Sequence, residues 1–298
     1  MPHRSWQPGP GETDGLAPNE TAAATGRSSR RRLSGLSTVT MIGLVILAVY
    51  VLMAIVGPWL VPDPLATNTA AAYSPPSWQH PFGTDKFGRD ILARTVCSAR
   101  LDILLGVTIA LIAAVVGTLV GGITAFLGGW VDELAMRLTD VVLAFPGFVL
   151  ALLLVTALGD SSVILVTAVA VAYVPQFIRL TRSEVLKQRL MTYVDGARLA
   201  GNSQLRVALR HVLPNSLGPS AAQLALVAGW SVLTVAGLAF IGVGVRPPTP
   251  EWGVMISDGS PDVMTGQWWT TLFPGSFLVI GVMAFHFASS QIGGRARG

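Results

Sequence analysis

Side chains able to do covalent or metal chemistry are few in this sequence, and their spacing supports neither kind. The two lysines, Lys86 and Lys187, follow Asp85 and Leu186, whereas a phosphate-binding loop needs Gly-Lys-Ser/Thr, so the chain is not expected to hydrolyse ATP. His3, His80, His211 and His286 are scattered, with no His-Glu-x-x-His pair to set two ligands on one helical face. Cys97 is alone, so neither an intramolecular disulfide nor a cysteine-based zinc site can form within the chain. No catalytic residue and no metal site are expected.

The stretch from Tyr193 to Pro214 has features suited to mechanical work instead. It reads as two short helices with a corner between them. Asp195 falls in the first turn of the first helix, where a carboxylate favours the positive end of the dipole. Gly201-Asn202 supplies residues that tolerate a left-handed turn at its end, and Ser203 can cap the second helix. That helix sets Leu205, Val207, Leu209 and Val212 among Arg206, Arg210 and His211, and is expected to stop before Pro214, whose ring disfavours helix at Leu213. Gly196 and Ala197 leave a bare backbone patch at the corner, where another protein can approach closely.

What must position that corner is set by where charge is missing. The chain is 51% hydrophobic and 12% charged, against about 25% charged for an ordinary soluble domain. Long charge-free runs predict six membrane spans, near 38–60, 103–128, 141–159, 161–179, 217–243 and 271–291, since a helix needs roughly 20 apolar residues to cross a bilayer. With both termini inside, 15 of the 20 basic residues are cytoplasmic, as the positive-inside rule requires. Four of the five external exceptions, Lys86, Arg89, Arg94 and Arg100, lie in one segment with Asp85, Asp90 and Asp102. The first apolar run is too long for a signal peptide. The pI of about 9.7 reflects the cytoplasmic arginines and gives no reason to expect nucleic acid as a partner.

Three parts are expected. Residues 1–32, poor in large apolar side chains, form a disordered cytoplasmic tail. Residues 33–80 hold the first span and a proline-rich extended external segment, and residues 81–298 the five-span core with cytoplasmic helices at about 191–213. Ile91, Thr95 and Ala99 share one helical arc opposite Asp90, Arg94 and Ser98, which predicts a helix lying at the interface and leading into the second span. Val131 to Thr139 reads as a cytoplasmic turn with ordinary solvation, Phe145-Pro146-Gly147 as a kink in the third span, and Asp160 as a solvated external turn residue. Residues 244–270, with Pro247, Pro248, Pro250, Trp252, Gly253 and Trp269, read as an ordered external loop. His286, isolated in the sixth span, is expected to be neutral and hydrogen-bonded between helices.

The 193–214 stretch is similar to the EAA motif of ABC importer permeases, in which Glu-Ala-Ala is followed by three residues, Gly, nine residues, an apolar residue, any residue and Leu-Pro. Asp195-Gly196-Ala197 stands at Glu-Ala-Ala, Gly201 at the Gly and Leu213-Pro214 at the end, with His211 at the apolar position. Phe82-Gly-Thr-Asp-Lys-Phe-Gly-Arg-Asp90, which includes Gly83, Thr84, Asp85, Gly88, Arg89 and Asp90, resembles the C-type subunit of dipeptide/oligopeptide importers. So does Gly242 to Gly253, and Trp269 to Gly275 continues the likeness. Asp195 and Gly196 depart from the motif, as does a C-terminal end without the usual charged tail.

The resemblance implies an all-α, six-span permease of the type I importer (MetI-like) fold in a bacterial inner membrane. It implies a heterodimer with a second, homologous permease, two cytoplasmic ATPase subunits that bind ATP and Mg, and an external substrate-binding protein. The chain itself would bind no cofactor. The competing class, an ion-gradient-driven secondary transporter or channel, calls for paired ionisable groups at mid-membrane, and only His286 qualifies.

Overall fold

A computed structural model of the chain describes residues 38–159 and 161–295. The tail expected over 1–32 and Asp160 lie outside the described residues. Five helices are long and apolar enough to cross a membrane: α1 (Thr38–Leu60), α2 (Ile91–Leu127), α5 (Ser162–Gln188), α9 (Gly218–Phe240) and α11 (Trp269–Arg295). A sixth crossing is broken, because α3 (Gly129–Leu143) and α4 (Gly147–Leu158) meet at 87°. Short helices α6 (Thr192–Leu199), α7 (Gln204–Val207) and α8 (Leu213–Asn215) lie between α5 and α9, and α10 (Trp252–Val263) between α9 and α11. The chain is thus a multi-pass, all-helical membrane protein; among the described residues the one β pairing is an isolated bridge between Thr84 and Asp90.

The core forms around α2, which packs most extensively on α5 and also on α9 and α1. Small residues permit this. Gly117 and Gly121, one turn apart, bring the α2 backbone against Val174 to Ile178 of α5, and a methyl group on Gly121 would run into the Ile178 carbonyl. Ala110, Ala113 and Ala114 continue the contact beside Phe177, Val227 and Val232. In lipid, close van der Waals packing of this kind replaces the hydrophobic drive of a soluble core.

Several expectations are corrected. The interfacial helix is the first part of α2, one unbroken element 37 residues long. Its polar arc is covered as well as its apolar one: Arg94 and Ser98 are buried with Ile91, Thr95 and Ala99, because the segments after α1 and before α10 fold over them. The expected turn at 131–139 is helix α3, and Asp132 on it accepts both Nε and a terminal nitrogen of Arg182 at 2.7 Å, well beyond ordinary solvation. Arg179 reaches Asp140 at 2.6 Å, so α5 runs past its predicted end at residue 179 along a charged seam with α3. The break follows from Pro146, which caps α4 and cannot continue α3. The external loop carries α10, started by Glu251 accepting the Val254 N–H at 2.7 Å. His286 is exposed on α11 with its ring against Phe287, and no cross-helix hydrogen bond to the ring occurs among the described residues.

Candidate functional site

Two groups of sequence-predicted residues are assembled by the fold, at different places. The first is the corner between α5 and α9. Asp195 lies in the first turn of α6 as expected, exposed beside Tyr193, whose hydroxyl donates to Gln188 Oε1 at 2.8 Å. Gly201 turns the chain with φ +76°, in the left-handed region, and Asn202 Nδ2 caps the end of α6 by donating to the Ala197 carbonyl at 3.0 Å. Ser203 Oγ accepts the Arg206 N–H at 3.4 Å, the predicted cap of α7.

The corner is anchored by an apolar cluster. Val194 of α6 and Val207 and Val212 of the following turns are buried against Ala125 of α2 and Val185 of α5. Leu213 lies against Gly122, and Arg189 donates to the Ala125 carbonyl at 2.8 Å. Gly196 and Gly201 face outward, with open space where a side chain would stand.

Helix does not stop before Pro214, as the sequence suggested. Residues Ala208–Val212 form a wider π turn, in which the Leu213 N–H donates to the Ala208 carbonyl, and α8 runs straight through Leu213 and Pro214. A widened turn just ahead of a proline makes room for the ring that would otherwise strike the carbonyl four residues back. His211 belongs to that turn, and its carbonyl accepts from Asn215 Nδ2 at 2.7 Å.

The second group lies at the start of α2. Asp85 is the hub of its loop: one oxygen accepts the N–H groups of Phe87 and Arg89 at 2.9 and 3.0 Å, and the other accepts Arg89 Nε at 2.6 Å. Thr84 Oγ1 accepts the Ser74 N–H at 2.8 Å and donates to the Ala71 carbonyl. Asp90 caps α2 through the Ala93 N–H at 2.9 Å and bonds His80 Nδ1 at 2.8 Å. Gly83 and Gly88 take φ of +72° and +71°. Thr84, Asp85, Arg89 and Asp90 are therefore engaged within the motif and with residues 71–80.

Trp252 and Trp269 tie that motif to the other external one. Trp269 Nε1 donates to the Thr84 carbonyl at 3.1 Å, and Trp252 Nε1 to the Thr95 carbonyl at 3.0 Å. Gly253 abuts the Ala236 backbone of α9 with no room for a side chain. Pro247 and Pro248, joined by a cis bond, and Pro250 lead into this dock, where the Pro248 carbonyl faces Arg94.

Sequence reasoning missed two members of the dock, Asp102 and Glu251. Both are buried, neither has an ion pair among the described residues, and Glu251 Oε1 has no hydrogen-bond partner there. The Trp252 N–H donates to Asp102 Oδ2 at 3.2 Å. Burial pushes the Glu251 carboxyl above its ordinary pKa. Glu251 stands within the Gly242 to Gly253 segment that resembles the importer subunits, which was its one visible signal.

Nearby, Tyr73 donates to Asp262 Oδ1 at 2.9 Å, a bond that raises the phenol's pKa. A third feature had only a faint sequence signal, the proline kink: a cleft bounded by the bent α3–α4 pair, α5 and α9, with Gln176, Gln223, Tyr173 and Thr234 in its lining.

Comparison with known proteins agrees with this architecture. The family model for N-terminal TM domains of oligopeptide transport permease C matches residues 37–76. The dipeptide transport system permease protein DppC of Alkalihalophilus pseudofirmus is 38% identical over 267 residues, 89% of this chain and 87% of the relative. The di/tripeptide transport system permease protein DppC of Pseudomonas aeruginosa is 36% identical over 251 residues, 82% of each. The dipeptide transport system permease protein DppC of Bacillus subtilis is 32% identical over 249 residues, 83% of this chain and 78% of the relative. With a further family model matched over residues 106–295, in the segment that holds both the corner and the tryptophan dock, the chain belongs to the inner membrane components of binding-protein-dependent transport systems.

Proposed function

We propose that this chain is one of two permease subunits of an ATP-driven importer of short peptides in a bacterial inner membrane, with both termini in the cytoplasm. The peptide cargo is inferred from the relatives, which are named for dipeptide and di/tripeptide transport. In this reading a second, homologous permease completes the pathway and two cytoplasmic ATPases bind ATP and Mg. A substrate-loaded binding protein docks outside, on the surface formed by Gly83 to Asp90 and the segment from Pro247 to Gly253. ATP chemistry belongs to the partners, while this subunit supplies path and lever.

The observation that carries the proposal is the construction of the corner. Its buried side, Val194, Val207 and Val212, is welded to the ends of α2 and α5, while Gly196 and Gly201 present uncovered backbone outward. A partner that closes on Tyr193, Asp195, Gly196 and Ala197 would move two spans at once. Switching needs two packings of similar energy, biased by what the partners bind.

Gly201→Val tests the lever. Space is open at Gly201, so the cost arises from its positive φ, about 1–2 kcal/mol for a residue with a Cβ. The variant should insert and assemble, yet lose most ATP-driven uptake in proteoliposomes, with uptake no longer following ATP hydrolysis. Unchanged uptake with unchanged ATPase stimulation would remove the corner from the mechanism.

A further inference from the structure

The cleft between α3–α4, α5 and α9 is open on one side and holds about 600 Å³, and its lining carries no Asp, Glu, Lys, Arg or His. Its polar groups form two cross-helix pairs. Gln223 Nε2 donates to Gln176 Oε1 at 2.9 Å, and the Tyr173 and Thr234 hydroxyls lie 2.8 Å apart. Phe148 and Trp230 add ring surface that is 40% and 54% exposed.

Exposed amides on a membrane helix need an explanation, since an unsatisfied polar group in hydrocarbon costs several kcal/mol. Within the charge-free run of α5 from Ser162 to Ile178, Thr167 bonds back to its own helix through the Val163 and Ile164 carbonyls. Gln176 instead reaches across to α9. A primary amide offers two donors and two acceptor sites, so the single bond between these two leaves most of their capacity open. Such a face belongs on a watery cavity and not against lipid tails.

We infer that this cleft is the wall that the chain contributes to the solute path, and that it grips the peptide backbone without selecting for side-chain charge. The inference rests on the transport reading above. Amides and hydroxyls can donate to and accept from a peptide group whatever its side chains, and ring faces give apolar contact of low specificity. A fixed charge in the cleft would hold one sign of solute and repel the other.

The test uses the assembled complex in proteoliposomes, with Cys97→Ser as the background. Gln176→Cys and Leu233→Cys place thiols in the cleft, and Val115→Cys places one on an exposed part of α2 away from it. Cationic and anionic methanethiosulfonates should both label the two cleft positions, at rates within about threefold of each other, where a charged cleft would separate them by tenfold or more. Val115→Cys should stay unlabelled. No labelling above that control would mean that lipid or a neighbouring helix fills the cleft, and would overturn the inference.

In the second arm, a Gln176→Leu/Gln223→Leu double variant should lower uptake of Ala-Ala, Ala-Lys and Ala-Glu alike, by about tenfold. Unchanged uptake would remove the amide role. Should the unaltered complex import none of the three with ATP, the peptide reading falls, while the labelling pattern still decides whether the cleft is a watery path.

Discussion

Glu251 is buried at the start of α10, and a carboxyl that holds its proton more tightly when folded makes stability depend on pH. The folded Glu251 binds its proton more tightly than the unfolded chain does, because burial raises its pKa above 4.5. Its contribution is therefore fully present in acid and is lost as pH rises through the raised value. Thermal unfolding of the purified protein should show a melting temperature that falls as pH rises above the ordinary carboxylate range. Glu251→Gln, which keeps an oxygen for the Val254 N–H, should flatten that slope. A slope unaltered by the substitution would assign the pH dependence to other groups. Asp102 was hard to find in the sequence because Arg94 and Arg100 beside it resemble the charges of a solvated loop. Only the fold of residues 61–90 and 247–255 over α2 buries Asp102 and Arg94, while Arg100 stays exposed. By contrast Gly201, Asn202 and Ser203 were legible, since a left-handed turn and a cap depend on local backbone chemistry alone.

Among the elements, α2 and α5 depend on bare backbone at their crossing. Gly121→Ile should push α5 away from α2, with an overpacking cost of about 1–3 kcal/mol, read as a lower melting temperature and poor complex yield in detergent. Val115→Ile, on an exposed face of the same helix, should leave both unchanged. Equal behaviour of the two variants would remove the special role of the crossing. Element boundaries were the least legible part of the sequence. Charge-free length marks where a helix can sit in lipid, and α5 continues beyond that to Gln188, past its ion pairs with α3 at Arg179 and Arg182. Pro146 was visible as a kink, but the 87° turn is set by the neighbours α4 packs on, and periodicity does not report them. At Pro214 the local rule failed because a π turn can absorb a proline that an α turn cannot.

At the scale of the whole molecule, six apolar runs and the bias of arginine were enough to give the number of crossings and their sidedness as an expectation. Single thiols in a Cys97→Ser background test that sidedness. Trp78→Cys, fully exposed after α1, should react with an impermeant maleimide in intact spheroplasts. Leu190→Cys, exposed between α5 and α6, should react only after permeabilisation. The reverse pattern would invert the protein and place the corner on the outer side. One property of α2 bears on any such arrangement. At 1.5 Å per residue its 37 residues span about 55 Å, with Trp252 seated near one tip and Leu213 near the other. It is a pushrod: a visitor pressing on the far tip and an engine gripping the near one would be handling the same stiff object. Glycines in place of Leu104 and Leu111, exposed along its middle, would leave each tip properly dressed and weaken the conversation between them.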